Sequence, residues 1–215
     1  MTRTPECIIF DCDGVLVDSE TIGIRVLLDM TSHYGVNMPL AEAVEEFGGR
    51  RLREVIDVLQ TRAHEPFPSD LEALYRTRSY EVFQTEVVPV PGIKDVLDTL
   101  TVPFCVASSG PVEKIKLNLS NTGLLPYFTG RIFSAYDINR WKPDPGIFLH
   151  AAARMGFEPH QCVVIEDSLA GVAAGIAGGF HVLGYVRPHN ARALEREGAT
   201  VFYSMSDLPL LLRDF

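Results

Sequence analysis

The 215-residue chain is expected to be an α/β protein, with a parallel sheet covered by helices on both faces and a small all-helical insert. Three observations carry this expectation. Residues 88–215 alternate short apolar strands with helices, which implies a parallel sheet buried on both sides. Residues 19–87 show helical spacing and no convincing strand. The apolar run 7–10 comes before that insert, so the first strand is separated in sequence from its partners. The length exceeds the usual single domain but falls short of two, which suits a core carrying a subdomain. The core is therefore discontinuous, residues 1–18 rejoining 88–215 around an insert of 19–87.

Taken in order, Cys7 to Phe10 is a short strand that ends in Asp11-Cys12-Asp13-Gly14. Side chains alternate along a strand, so Asp11 and Asp13 share a side while Cys12 points away, and Gly14 lets the chain turn. Ile24, Leu27, Leu28, Thr31 and Tyr34 follow helical spacing, with Gly35 as a stop signal. Residues 39–47, 52–63 and 69–86 suggest three more helices, the last opened by a Ser69/Glu72 capping box. From Val88 the alternation runs through helix 91–100, strand 102–107, helix 111–121, strand 132–134, helix 144–155, strand 162–165 and helix 169–177. Segments 180–186, 190–197, 200–203 and 208–212 complete it. Gly171, Gly175, Gly178 and Gly179 are expected to let one helix pack closely on the sheet, a packing role only.

Hydrophobic residues at 47% and charged residues at 22% describe an ordinary globular protein. No apolar stretch reaches the length of a membrane span, and Met1 to Glu6 run into a strand without a signal peptide's apolar region, so a cytoplasmic location is expected. Cys7, Cys12, Cys105 and Cys162 fall in or beside strand-like runs and read as buried, reduced thiols. A net charge of −9 argues against a nucleic-acid binder. The six histidines, His33, His64, His150, His160, His181 and His189, show no metal spacing and are expected at the surface or at caps.

Four strand ends carry chemistry. The first holds Asp11 and Asp13, placed where open α/β sheets bind ligands. The second is Ser108-Ser109-Gly110, which presents hydroxyl and N–H donors to an anion, and equally suits a helix N-cap. In the third, Lys142 is one of only four lysines (Lys94, Lys114, Lys116, Lys142) and sits in a proline-flanked turn, a setting for a cation held at fixed distance from a phosphoryl group. The fourth is Glu166-Asp167-Ser168. Acids there cap a helix, or form with Asp11 a hard oxygen cluster suited to Mg²⁺.

This ordered set resembles the haloacid dehalogenase superfamily, whose four motifs are met by Asp11-Cys12-Asp13-Gly14-Val15, Ser108, Lys142 and Glu166-Asp167. The resemblance covers essentially the whole chain and implies a Rossmann-like core with a helical C1 cap, placed as in the branch of β-phosphoglucomutases and related phosphatases. It implies that Asp11 attacks phosphorus to give an aspartyl-phosphate and that Asp13 serves as acid and then base. It also implies Mg²⁺ on Asp11, the Asp13 carbonyl oxygen and Asp167, with Glu166 as a further candidate. A carboxylate nearing a phosphate meets a repulsion of roughly 4 kcal/mol per unit-charge pair at 4 Å and an effective dielectric of 20, which Mg²⁺ and Lys142 would reverse. Ser108, Ser109 and Gly110 would hold the transferring oxygens.

Departures narrow the activity. Haloacid dehalogenases proper lack the acid/base aspartate, and Asp13 is present. Phosphonoacetaldehyde hydrolases need a cap lysine, and residues 19–87 contain none. β-Phosphoglucomutases carry a hinge histidine where this chain has Gly23, so hydrolysis is favoured and the mutase is the alternative. Arg50 and Arg51, between two insert helices, suit a carboxylate or second phosphate, and suit a solvated helix start as well. The stretch from Tyr136 to Pro145 and the run Ser109-Gly110-Pro111 resemble the bacterial 6-phosphogluconate phosphatase branch. The expected partner is thus a small phosphorylated metabolite, with no nucleic acid or membrane, bound by a monomer or weak homodimer. Glu20 either faces the site from the hinge or is an ordinary first-turn acid. A signalling receiver domain is disfavoured by the Asp11/Asp13 spacing and the insert, and an inactive phospho-ligand-binding or structural relative by four intact motifs.

Overall fold

The computed structural model describes residues 4–187 and 190–213; His189 lies outside them, as do residues 1–3. The elements in order are β1 (Cys7–Phe10), β2 (Val17–Asp18), α1 (Glu20–Ser32), α2 (Leu40–Phe47), α3 (Leu52–Arg62), α4 (Leu71–Glu86), β3 (Val88–Pro89), α5 (Ile93–Thr99), β4 (Phe104–Ser108), α6 (Val112–Asn121), β5 (Ile132–Ser134), α7 (Ala135–Ile138), α8 (Gly146–Met155), β6 (Cys162–Glu166), α9 (Leu169–Ala177), β7 (His181–Tyr185), α10 (Ala191–Glu197), β8 (Thr200–Phe202) and α11 (Leu208–Leu211).

Six strands form one parallel sheet in the order β5-β4-β1-β6-β7-β8. The chain winds outward from β1 to β4 and β5, then returns to the other side of β1 with β6. That reversal makes the carboxyl end of β1 a topological switch point, where such sheets hold ligands. Strand alternation divides the core. Ile8, Phe10 and Cys12 join Ile93, Ile115 and Leu119 on one face. Cys7 and Ile9 join Phe148, Ala151, Val172 and Leu194 on the other. Asp11 therefore leaves the strand on the side opposite Cys12, and all four cysteines are buried and free.

Helices α1–α4 enclose a third apolar cluster that includes Leu27, Ala43, Phe47, Ile56, Leu59 and Leu71. The chain enters and leaves this insert through β2 and β3, which pair with each other antiparallel. The strand character read from Val88 onward thus belongs to this small ribbon, not to the main sheet; Pro89 lacks the N–H a central strand needs. The Ser69/Glu72 capping box does not form. Helix α4 starts at Leu71 with Asp70 at its N-cap and no side-chain cap, and Glu72 instead pairs with Arg76 one turn on, at 2.7 Å. Other boundaries move by up to two residues, and the short helix α7 was not anticipated.

Candidate active site

Three of the four chemical segments lie at the carboxyl ends of adjacent strands: Asp11 after β1, Ser108 at the end of β4 and Glu166 at the end of β6. Lys142 reaches them from the segment between α7 and α8. Its Nζ bonds Asp11 Oδ1 and Glu166 Oε1, and its side chain is 4% exposed. Burial opposes the lysine's charge, yet Asp11 and Glu166 outweigh it and hold the ammonium protonated. Burial pushes Asp11 up to about 7, against the pull of Lys142 and reinforced by Glu166 and Asp13.

Asp13 is held from three sides. Ser19 Oγ and Asn118 Nδ2 (3.4 Å) donate to Oδ1, and Lys114 Nζ lies 2.8 Å from Oδ2. Burial would raise this carboxyl, but Lys114, with Ser19, overcomes it and leaves Asp13 below its ordinary value. Lys114, Asn118 and Ser19 were not anticipated. Lys114 and Asn118 stand one turn apart in the helix that follows Ser108, and no local signal ties them to Asp13. The Ser108–Gly110 turn is tied by Ser108 Oγ, which accepts the Gly110 N–H at 3.0 Å, and by Ser134 Oγ, which donates to the Gly110 carbonyl at 2.7 Å.

Glu166 and Asp167 are adjacent but differ. Glu166 Oε1 meets Lys142, and its Oε2 accepts from Asp167 N, Ser168 N and Ser168 Oγ at 2.8, 2.8 and 3.0 Å. Protein donors thus occupy both of its oxygens. The Gly171 position makes room for this: a Cβ there would lie 1.9 Å from the Glu166 carboxyl. The glycine has a role in the site beyond the packing expected of it, whereas Gly175 does pack against Val182. Asp167 lies against Gly14, whose φ of +88° turns the chain and whose missing Cβ would stand 1.8 Å from Asp167 Oδ2.

Among the described residues, no three His, Cys, Asp or Glu side chains gather as a metal cluster by themselves. Asp11 and Asp167 offer two carboxylates, and the third donor expected, the Asp13 carbonyl oxygen, is main chain. Electrostatics fit a hard dication here. Burial, then Glu20, Glu166 and Asp11, drive Asp167 well above the ordinary carboxylate range, and Arg187, 4.0 Å away, offsets this only in part. Arg187 is nearer Asp18, at 2.7 Å, than Asp167, so the acidic cluster of Asp11, Glu166 and Asp167 lacks a full complement of cations.

The floor opens into a cleft of about 180 Å³ roofed by the helical insert, with Glu20, Arg50, Arg51, Tyr75 and Arg76 among its lining residues. Ser108, Ser109 and Gly110 line the opposite wall. Glu20 faces the site and accepts the Gly49 N–H at 2.5 Å, which decides between its two readings. Gly23 packs under Tyr75, where a Cβ would lie 2.8 Å from the hydroxyl.

Residues 5–179 match the haloacid dehalogenase-like hydrolase family. The chain is 35% identical to the 6-phosphogluconate phosphatase of Escherichia coli K12 over 208 residues, covering 96% of this chain and 94% of that one. A haloacid dehalogenase-like protein from Agrobacterium tumefaciens C58 superposes with a TM-score of 0.86 at 34% identity, covering 96% of this chain and 97% of its own. A family hydrolase from Deinococcus radiodurans R1, with phosphate and sodium bound, gives 0.81 at 32% identity, covering 98% and 96%. The chain belongs to the haloacid dehalogenase-like hydrolase family.

Proposed function

We propose that this protein is a Mg²⁺-dependent phosphatase of small phosphomonoesters, 6-phosphogluconate foremost, working through an aspartyl-phosphate on Asp11. The observation that carries the reading is Asp13. It stands beside Asp11 with its own set of donors, Ser19, Lys114 and Asn118, as an acid/base group separate from the nucleophile must.

In this reading an Asp11 oxygen attacks phosphorus in line while Lys142, fixed between Asp11 and Glu166, offsets charge on the transferring oxygens. With substrate bound, the phosphate's negative charge raises Asp13 from its depressed value so that it carries the proton it gives to the leaving alkoxide. It then takes a proton from the water that attacks the phosphoryl-aspartate. Ser108 and the Ser109 N–H hold the equatorial oxygens, with Gly110, whose N–H bonds Ser108 Oγ, leaving the wall open to them. Asp11, the Asp13 carbonyl oxygen and Asp167 would hold Mg²⁺, which when bound supplies the remaining positive charge at the phosphate; Glu166 serves Lys142 instead. The insert of residues 19–87 acts as a cap over the core of residues 1–18 and 88–215, closing on substrate and excluding water. Arg50, whose guanidinium has no ion pair, side-chain hydrogen bond or ring contact among the described residues, reads an anionic group at the far end of the substrate.

The E. coli relative is named for 6-phosphogluconate, and a carboxylated sugar phosphate gives Arg50 a partner. Mutase activity is disfavoured by the glycine at position 23, where the Tyr75 hydroxyl stands 2.8 Å from the place a Cβ would take. The same reading has the protein act in the cytoplasm, as a monomer or weak homodimer, without nucleic acid or membrane; among the described residues no helix is long and apolar enough to cross one. The test is steady-state phosphate release from 6-phosphogluconate, β-glucose 1-phosphate and an aryl phosphate, with Mg²⁺ and with EDTA. Mg²⁺-dependent turnover that favours 6-phosphogluconate is expected. Isomerisation of β-glucose 1-phosphate to glucose 6-phosphate with little release would assign the mutase.

A further inference from the structure

Arg50 and Arg51 are neighbours in sequence, but their guanidinium groups have different surroundings. Both line the cleft. The Arg51 group lies over Trp141, with Cζ 4.0 Å from the ring centroid. Trp141 packs edge-on against Tyr136, centroids 5.2 Å apart. The Tyr136 hydroxyl accepts from Arg76 at 2.6 Å, and the Arg76 guanidinium also lies 5.3 Å from the Tyr136 ring. Two arginines of the helical insert therefore grip two aromatic residues of the core. On the other flank Gly49, with φ +72°, rests on Ser168, where a Cβ would come within 2.6 Å of the serine Cβ. The roof loop thus meets the floor beside Lys142 at one point and beside Asp167 at another.

We propose that Arg51 is a positioning residue and not a substrate ligand: its stack on Trp141 fastens the roof loop to the segment that carries Lys142, so closing the roof and setting Lys142 against Asp11 are one event. This rests on the phosphatase reading of the cleft. The face of an indole ring is its negative side and attracts a guanidinium. Among the described residues, Arg51 has no ion pair or side-chain hydrogen bond that would compete. Trp141 is joined directly to Lys142, so a displacement of the ring passes to the lysine, whose place between Asp11 and Glu166 leaves little slack. Lifting the roof loop off the floor would break the stack, and lowering it would re-form it. The arrangement also divides the work of the arginine pair, with Arg50 left free for the substrate.

Trp141 is the chain's one tryptophan, so its fluorescence reports the stack without an added label. Acrylamide quenching and emission are compared for the native protein, Arg51→Ala and Arg51→Lys, with circular dichroism as a check on folding. In Arg51→Ala the indole becomes more accessible to acrylamide and its emission shifts. The kcat/KM falls about fivefold, by the same factor for 6-phosphogluconate and for an aryl phosphate without a second anionic group. Arg51→Lys recovers part of both effects, since an ammonium keeps the charge without the planar fork. Unchanged quenching in Arg51→Ala overturns the proposal. So does a loss confined to 6-phosphogluconate, which makes Arg51 a substrate ligand. Quenching needs no turnover, so a protein that releases no phosphate from any ester defeats the phosphatase reading while the stack is still judged by its emission.

Discussion

The Nζ of Lys114 lies 2.8 Å from Oδ2 of Asp13, a pair formed by residues 101 apart in the chain. It joins helix α6 to the end of β1 and gives the acid/base carboxylate a fixed partner that the nucleophile Asp11 does not share. Lys142 does the corresponding work for Asp11. Each aspartate of the motif thus has its own lysine.

Replacing Lys114 by methionine keeps most of the side chain's volume and removes that partner. We expect kcat to fall about 10- to 100-fold, at or below the lower end of what general acid–base catalysis supplies because Asp13 itself remains, with KM for phosphomonoesters nearly unchanged. Steady-state kinetics on two esters separate this from a binding defect, which would raise KM and leave kcat alone.

Gly14→Ala places a methyl group where Asp167 Oδ2 now lies, in a backbone conformation with φ +88°. The carboxylate has to move away from Asp11. The Mg²⁺ concentration for half-maximal activity should rise about 10- to 100-fold, the scale seen when a metal ligand loses its support. A magnesium titration at saturating substrate measures it, and excess Mg²⁺ should recover much of the rate.

Arg50→Ala should raise KM for 6-phosphogluconate about 10-fold or more, the loss of one charge-assisted interaction. Turnover of an aryl phosphate should be unaffected. Equal losses on both substrates would place Arg50 in the cap's packing and remove it from recognition.

Phe10 is wholly buried beneath the site and meets Phe104 and Phe128 edge-on, with centroids 6.1 and 6.4 Å away. Phe10→Ala should cost about 3–5 kcal/mol of stability, seen as a lower urea midpoint. Because Phe10 lies one residue from Asp11, activity should fail at lower denaturant than in the native protein.

Much of this architecture was legible because it is written in local pattern. The short strands read at 7–10 and 132–134 and the small-residue run 169–177 correspond to β1, β5 and α9 residue for residue. The order of strands is not local. Nothing in residues 104–121 says that β4 will lie beside β1, so the meeting of Lys114 with Asp13 could not be read from either segment. The same limit applies to Gly171, which resembles a packing glycine until Glu166 is seen folded against it. The ribbon of β2 and β3 has two residues per strand, too few for a period to show. At Ser69 and Glu72 the local signal was present but lost to a competing one, because Glu72 pairs with Arg76.

The account depends most on Asp11 carrying the phosphoryl group. Asp13→Asn removes both the acid that an alkoxide leaving group needs and the base that activates water. An aryl phosphate, whose phenoxide leaves without a proton, should therefore form the covalent species and let it accumulate. Acid quenching of that variant with an aryl phosphate and Mg²⁺, followed by mass spectrometry of the peptides, tests this directly. A phosphoryl group on the peptide containing Asp11, absent from Asp11→Asn, is the result expected. Continued phosphate release by Asp11→Asn, or a phosphoryl group on another residue, would contradict the account.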